Sequence, residues 1–315
     1  MPNDSKRRAA VLLMGPTGAG KSTLALTLAQ QLPLEIVSVD SALVYRGMDI
    51  GTAKPSSGER AKVPHHLIDI RDPAVSYSVG EFTRDAQLAM QDIWSRGRQP
   101  LLVGGTMLYF HALTTGIAQL PEADPEIRAQ IDARAAKLGW AALHQELARV
   151  DSEAAARIHV NDPQRIQRAL EVFKLTGEAI TKLQRKRLSV FSDVHVKEFA
   201  LAPLERAELH TKIEMRFKAM LDAGLVAEVR ALYERGDLSA EHPSMRAVGY
   251  RQIWGYLAGR SALKEAEEQG IAATRQLAKR QLTWLRRRAN ARWMDSMDPE
   301  VARLIFAALS ESGFA

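Results

Sequence analysis

The sequence predicts an α/β protein: a parallel β-sheet flanked by helices, with an all-helical insertion dividing the chain that builds the sheet. Three observations carry this. Short apolar runs alternate with helical stretches over residues 9–103, strand signal disappears between residues 120 and 192, and it returns at Val194–Leu201. Strands alternating with helices imply right-handed crossovers and parallel pairing, and the ligands of such sheets sit at the carboxyl ends of the strands. The expected division is residues 1–119 for the first part of the core, 120–192 for the insertion, and 193–315 for the completion of the core and a set of basic C-terminal helices.

Taken in order, Ala9–Met14 is a short apolar run suited to a buried strand. It leads into Gly15, Pro16, Thr17, Gly18, Ala19, Gly20, Lys21 and Ser22, which fit the pattern G-x-x-x-x-G-K-[ST] at every fixed position. Ala25, Leu28, Ala29 and Leu32 then recur at helical spacing. Strand, glycine-rich turn and helix together make a P-loop, so the predicted fold is P-loop NTPase-like. Pro33 ends the helix, and Leu34–Val39 reads as a second buried strand ending at Asp40. The next forty residues carry turn formers and read as loop, which in a compact domain tends to be functional. An amphipathic helix follows from Val79 to about Trp94, with Phe82, Ala86, Ala89, Met90 and Ile93 facing inward. Gly97 ends it, and Pro100 introduces a third strand, Leu101–Val103, which runs into Gly104, Gly105 and Thr106.

Within the insertion, Asp124, Asp151 and Asp162 mark helix starts. Beyond Leu204 the pattern is helical: Arg206–Ala223 stopped by Gly224, Leu225–Arg235 stopped by Gly236, Ser244–Leu257, and a last long helix, Ile271–Trp293. The P-loop, Asp40 and Thr106 each follow a strand, so the three converge on one crevice.

A hydrophobic fraction of 46% and a charged fraction of 25% are ordinary for a globular protein. The formal net charge of +6 suits a polyanionic partner. With no cysteine, disulfides, thiolate zinc sites and cysteine nucleophiles are excluded. No apolar run approaches membrane-spanning length, and Lys6-Arg7-Arg8 leads straight into the first strand, so the expectation is a cytoplasmic monomer with no membrane partner.

The chemistry concentrates at the strand ends. In a P-loop the backbone N–H groups curl around phosphate oxygens, the helix N-terminus adds partial positive charge, Lys21 supplies a full one, and the Ser22 hydroxyl can ligate a magnesium ion (Mg2+). Asp40 is placed to accept a proton from an attacking amine or hydroxyl, or to bind magnesium through water. The third strand ends in glycines where a Walker B strand carries an aspartate, which argues against an ATP-hydrolysing motor. His65 and His66 have no metal-ligand partners at useful spacing and read as hydrogen-bonded histidines. Arg165, Arg168, Lys174, Lys182, Arg185, Lys186 and Arg187 in the insertion, together with the basic last helix, make a nucleic-acid surface, with Trp284 and Tyr250 interleaved as stacking aromatics.

These blocks carry a resemblance. G-P-T-G-A-G-K-S from Gly15, S-V-D-S-A-L-V-Y-R-G-M-D-I-G-T-A-K-P from Ser38, H-H-L-I-D-I-R-D-P from His65, L-V-G-G-T-M-L-Y-F from Leu102, N-D-P-Q-R-I-Q-R-A-L-E-V from Asn161, R-A-V-G-Y-R-Q from Arg246 and Q-L-A-K-R-Q-L-T-W-L-R from Gln276 are similar to those of bacterial tRNA dimethylallyltransferases, also called tRNA isopentenyltransferases. Only the first few and last twenty or so residues carry none of it, and Gly18-Ala19 stands where that family usually has Ala-Ser.

The resemblance implies transfer of a dimethylallyl group from dimethylallyl diphosphate to the exocyclic amine of the adenosine 3′-adjacent to the anticodon, with release of diphosphate. It implies that Arg216 adds a cation to the diphosphate held by Gly15–Ser22, that Asp40 takes the amine's proton, and that Thr106 holds the base nearby. It places contacts with the tRNA anticodon stem-loop on Asp40, Ser41, Ala42, Leu43 and Thr106. Further contacts fall on Arg128 and on Gln164, Arg165, Ile166, Gln167 and Arg168 of the insertion. In the tail they fall on Arg246, Ala247, Val248, Gly249, Tyr250 and Arg251, and on Lys279, Arg280, Gln281, Leu282, Thr283, Trp284, Leu285 and Arg286. The competing expectations are a P-loop small-molecule kinase, an adenine-nucleotide prenyltransferase, and an RNA-binding module without activity.

Overall fold

A computed structural model describes residues 8–116, 118, 120–185 and 189–314; Lys6, Arg7, Lys186 and Arg187 lie outside the described residues. The chain divides into two compact units, one formed by the residues up to His111 together with those from Asp193 onward, the other by Ala112–Ser192.

The first unit is built on a six-stranded, all-parallel sheet. In chain order it contains β1 (Ala9–Met14), α1 (Lys21–Gln31), β2 (Leu34–Val39), α2 (Ser57–Lys62), β3 (His65–His66), α3 (Val79–Ser95), β4 (Gln99–Gly104) and α4 (Met107–Thr115), whose last turn passes into the second unit. The second unit holds α5 (Pro125–Leu138), α6 (Trp140–Val150), α7 (Ser152–Arg157), α8 (Pro163–Thr176) and α9 (Ile180–Gln184). The first unit resumes with β5 (His195–Ala202), α10 (Arg206–Asp222), α11 (Leu225–Tyr233), α12 (Tyr250–Leu257), α13 (Leu263–Leu285), β6 (Arg292–Asp295) and α14 (Val301–Ser310).

The strand order is β3-β2-β4-β1-β5-β6. β1 and β2 are buried along their whole length, as continuous apolar runs require when both faces of a parallel sheet are covered. β4 lies between them, with Met14 opposite Gly104 on one side and Val39 opposite Gly104 on the other. The segments that leave β1, β2 and β4 therefore start side by side at one edge of the sheet. Leu24, Ala25, Leu28 and Ala29 of α1 pack on the sheet with Ile305 and Leu309 of α14.

The second unit has its own core, in which Ile131, Leu143, Leu147, Ile166, Leu170 and Val172 are buried together. The starts of α5, α7 and α8 are set by side-chain caps: Asp124, Asp151 and Asp162 accept backbone N–H bonds from Ile127, Ala154 and Arg165 respectively.

Three expectations are corrected. The long loop after Asp40 contains α2, a single helical segment held by a capping box between Ser56 and Glu59, and the two-residue strand β3. The helix expected from Ser244 begins only at Tyr250, because the Ser244 hydroxyl donates to Pro73 O at 2.6 Å and Gly249 takes a φ of +93°, which breaks a right-handed helix. The last long helix stops at Leu285 instead of Trp293. There Arg288 pairs with Glu198 of β5 at 2.8 Å, drawing the chain to the sheet edge where Arg292–Asp295 adds the sixth strand.

Candidate active site

Gly15–Ser22 connects β1 to α1, and the helix starts at Lys21 from a Gly20 whose φ of +79° is left-handed. The Lys21 side chain turns back over the loop and donates to Pro16 O at 2.7 Å. Burial lowers its pKa from 10.5 to about 8, reinforced by the neighbouring Arg216 and opposed by Asp40. Arg216, from α10, is itself lowered by burial and opposed by Asp40, and it has no ion-pair or hydrogen-bond partner among the described residues. Two half-buried cations facing one carboxylate leave an excess of positive charge that an anion would satisfy.

Asp40 follows β2 directly. Its Oδ1 accepts the backbone N–H of Ala42 at 2.8 Å and of Leu43 at 3.4 Å, which fixes the carboxylate in a tight turn. Thr106 follows β4; its N–H donates to Val39 O at 3.2 Å, and its Oγ1 accepts the Ser41 N–H at 3.1 Å. Thr106 is thus tied to the Asp40 turn from the adjacent strand.

Thr17, Lys21, Ser22, Asp40, Leu43 and Arg216 line one cleft with Gly104, Gly105 and Gln281. Sequence reasoning missed its other wall. Thr52, Ala53, Pro55, His65 and Ile68, all from the segment read as loop, complete the lining and give it an apolar side. Among them, His65 bonds to Val63 O at 2.7 Å, and next to it His66 bonds to Glu35 at 2.8 Å.

A magnesium ion fits this lining only in a sparse form. Among the described residues no group of three or more His, Asp or Glu is placed to hold a metal. The cleft instead offers the Ser22 hydroxyl, the Asp40 carboxylate and the buried Ser38 hydroxyl, which has no partner. That set suits a cation that keeps most of its waters and takes further oxygens from a phosphate ligand.

The expected RNA-contacting residues are distributed unevenly. Lys279, Arg280, Thr283, Trp284 and Arg286 are exposed on α13 and its end, as are Arg246 and Arg251, with Arg246 held by Glu241. Gln164 and Arg165 are exposed on α8 in the second unit. Arg128 and Arg168 both pair with the buried Glu171, at 2.8 and 2.7 Å. Four of the expected positions are buried. Ile166 and Leu285 are core residues, Tyr250 is fully buried and donates to Glu228, and Gln281 is buried between Thr17 and Gly105. The Ile166, Tyr250 and Leu285 side chains are packed in the interior, while Gln281 also lines the cleft.

Among the described residues no helix is long and apolar enough to cross a membrane. The IPP transferase family model matches residues 43–288, more than half of the chain. The chain belongs to the IPP transferase family. It is thus a transferase. Among solved structures, the full-length tRNA isopentenylpyrophosphate transferase of Bacillus halodurans is 38% identical, with 96% of each chain covered and a TM-score of 0.70. The tRNA isopentenylpyrophosphate transferase of Staphylococcus epidermidis is 31% identical over 97% of this chain and 98% of its own, with a TM-score of 0.67. A eukaryotic dimethylallyltransferase acting on tRNA shares the fold, with a TM-score of 0.83 over 97% of this chain and 79% of its own at 24% identity. The IPP transferase match covers the cleft's second wall and the basic helix α13, and begins at Leu43, within the Asp40 turn.

Proposed function

We propose that this protein transfers a dimethylallyl group from dimethylallyl diphosphate to the exocyclic amine of the adenosine 3′-adjacent to the anticodon in tRNA, releasing diphosphate, and that it does so as a cytoplasmic monomer. The observation that carries the reading is the convergence, in one cleft, of two cations with no ion-pair partner among the described residues, Lys21 and Arg216, with the Asp40 carboxylate and an apolar wall. Family membership and the tRNA-modifying relatives support the same reading.

In this mechanism the diphosphate lies against the amides of Gly15–Ser22, with Lys21 and Arg216 flanking it, and the five-carbon tail lies against Leu43, Ala53, Pro55 and Ile68. The allylic carbon–oxygen bond breaks as the adenine nitrogen forms a bond to the same carbon. Charge that builds on the departing diphosphate is met by groups already in place, so little reorganisation opposes the transition state. Asp40 takes the proton that the amine loses, and Thr106 holds the base beside it through the turn they share. Magnesium, held by Ser22 and by water on Asp40 and Ser38, would supply further positive charge to the leaving group.

The target base must be turned out of the anticodon loop to reach the strand ends. Exposed Lys279, Arg280 and Arg286, with Trp284 among them, suit the phosphates and bases of that loop. Arg246, Arg251 and, in the second unit, Arg165 and Gln164 add to the contact; Arg128 and Arg168 contribute while remaining tied to Glu171.

Thermal unfolding with magnesium and each of two ligands tests the donor. Stabilisation by dimethylallyl diphosphate and none by ATP is expected. Stabilisation by ATP alone would overturn the reading in favour of a small-molecule kinase, and turnover with free adenosine monophosphate in place of tRNA would reassign the acceptor.

A further inference from the structure

The R-A-V-G-Y-R block reads from sequence as an RNA-facing surface, yet its tyrosine is the least exposed residue in it. Tyr250 is fully buried, and its hydroxyl donates to Glu228 Oε1 at 2.5 Å. The same carboxylate accepts three consecutive backbone N–H groups from the loop after β2: Asp49 at 2.8 Å, Ile50 at 2.7 Å and Gly51 at 3.1 Å. Four donors surround one carboxylate, an arrangement a carboxamide cannot reproduce because its nitrogen donates. Burial and the Glu228 charge push the Tyr250 hydroxyl well above its usual range, so it stays a donor.

Gly51 fits this grip closely, since a Cβ there would lie 2.5 Å from the Tyr250 ring and 2.8 Å from Leu225. On its far side the loop is held by Lys54, whose buried ammonium donates to Tyr45 O at 2.8 Å and to Asp49 at 2.6 Å, and reaches Asp69 as well. Beside the second grip the backbone is strained, since Ala53 sits at a φ of +53°, in the left-handed region that an L-residue rarely adopts. Thr52, Ala53 and Pro55, the residues so held, line the cleft.

We propose that Glu228 and Tyr250 are positioning residues that fix the Asp49–Pro55 loop as the wall against which the donor's hydrocarbon tail is measured. The inference rests on the proposed donor. Helices α11 and α12 thereby act on the reaction through a loop, without touching substrate. The wall sets how long a tail the cleft admits, and its placement appears in donor affinity and tail preference.

The test uses the full chain carrying Tyr250→Phe, which keeps the ring, and Glu228→Gln, which breaks the carboxylate's donor set. Hydrogen exchange at the Asp49, Ile50 and Gly51 amides should accelerate in both, with exchange in β1 unchanged. In steady state, KM for dimethylallyl diphosphate should rise about tenfold, one lost hydrogen bond's worth. The ten-carbon geranyl diphosphate should be accepted better relative to the five-carbon donor, while affinity for inorganic diphosphate stays the same. Folded variants with wild-type amide exchange, KM and tail preference would overturn the proposal. A lowered melting temperature with unchanged KM and tail preference would also overturn it, leaving Glu228 a stability residue. Wild-type protein that transfers no prenyl group would overturn the donor assignment itself, an outcome distinct from active wild type with indistinguishable variants.

Discussion

Gln281 of α13 accepts the backbone N–H of Thr17 at 2.9 Å, across 264 residues of sequence. Its amide nitrogen donates at the same time to Gly105 O at 2.9 Å. One buried side chain thus joins the glycine-rich loop to the segment after β4, and the basic helix is fastened to the cleft it flanks. Gln281→Ala leaves a half-buried N–H and a buried C=O unpaired, and the buried group alone costs about 1–3 kcal/mol. The expected result is a lower denaturation midpoint together with weaker binding of dimethylallyl diphosphate, both measured on purified protein. Full stability in the alanine variant would mean that water replaces both bonds.

Lys21 gives the cleft a pH signature. Its pKa falls from 10.5 to about 8 on folding, chiefly through burial. Between those values the unfolded chain holds a proton that the folded protein lacks, so this residue makes the ligand-free fold more stable as pH rises across the window. Below about pH 8 both states are protonated and the buried ammonium weighs against the fold in full. A bound diphosphate restores the charged form. Calorimetric titration with dimethylallyl diphosphate just above that pKa, in two buffers of different ionisation enthalpy, should therefore show proton uptake, and affinity should decline as pH rises further. Binding with no proton exchange would place the diphosphate away from Lys21.

Asp40→Asn separates two roles of one side chain. The asparagine Oδ1 still accepts the Ala42 and Leu43 N–H groups, so the turn persists, but the basic oxygen is gone. Single-turnover rates should fall by about two to four orders of magnitude, the usual worth of a general base, with tRNA affinity unchanged. Near-normal turnover would remove Asp40 from proton transfer.

The second unit depends on a buried carboxylate. Burial alone would raise the Glu171 pKa, but the hydrogen bonds from Arg128 and Arg168 outweigh it and hold the group ionised below its usual range. Glu171→Ala strands two guanidiniums, and because the Arg128 side chain keeps 40% of its exposure the loss should be near the low end for a broken buried pair, about 3 kcal/mol. Chemical unfolding followed by the fluorescence of Trp140, in this unit, measures it. A loss of a few tenths would mark both pairs as solvent-screened.

The sheet was legible because a buried parallel strand must be a continuous apolar run, and Ala9–Met14 and Leu34–Val39 are such runs with turn formers beside them. The caps at Asp124, Asp151 and Asp162 were legible for a local reason, since each acts within three residues of itself. What escaped depends on distant partners. Nothing near Arg292–Asp295 announces a strand, which exists because Phe199–Ala202 offers it an edge. Tyr250 and Gln281 look like surface residues among arginines until Glu228, Thr17 and Gly105 are placed against them. The part of the cleft wall at Thr52, Ala53 and Pro55 was hidden by turn formers, because the loop that carries it is held by Lys54 and by the distant Glu228.

The most direct measurement incubates the protein with magnesium, radiolabelled dimethylallyl diphosphate and a tRNA whose anticodon is followed by adenosine, beside the same tRNA with that base changed. The account predicts label in the first tRNA and none in the second, with loss of incorporation on Asp40→Asn. Equal label in both tRNAs, or none in either with the protein folded, would contradict it.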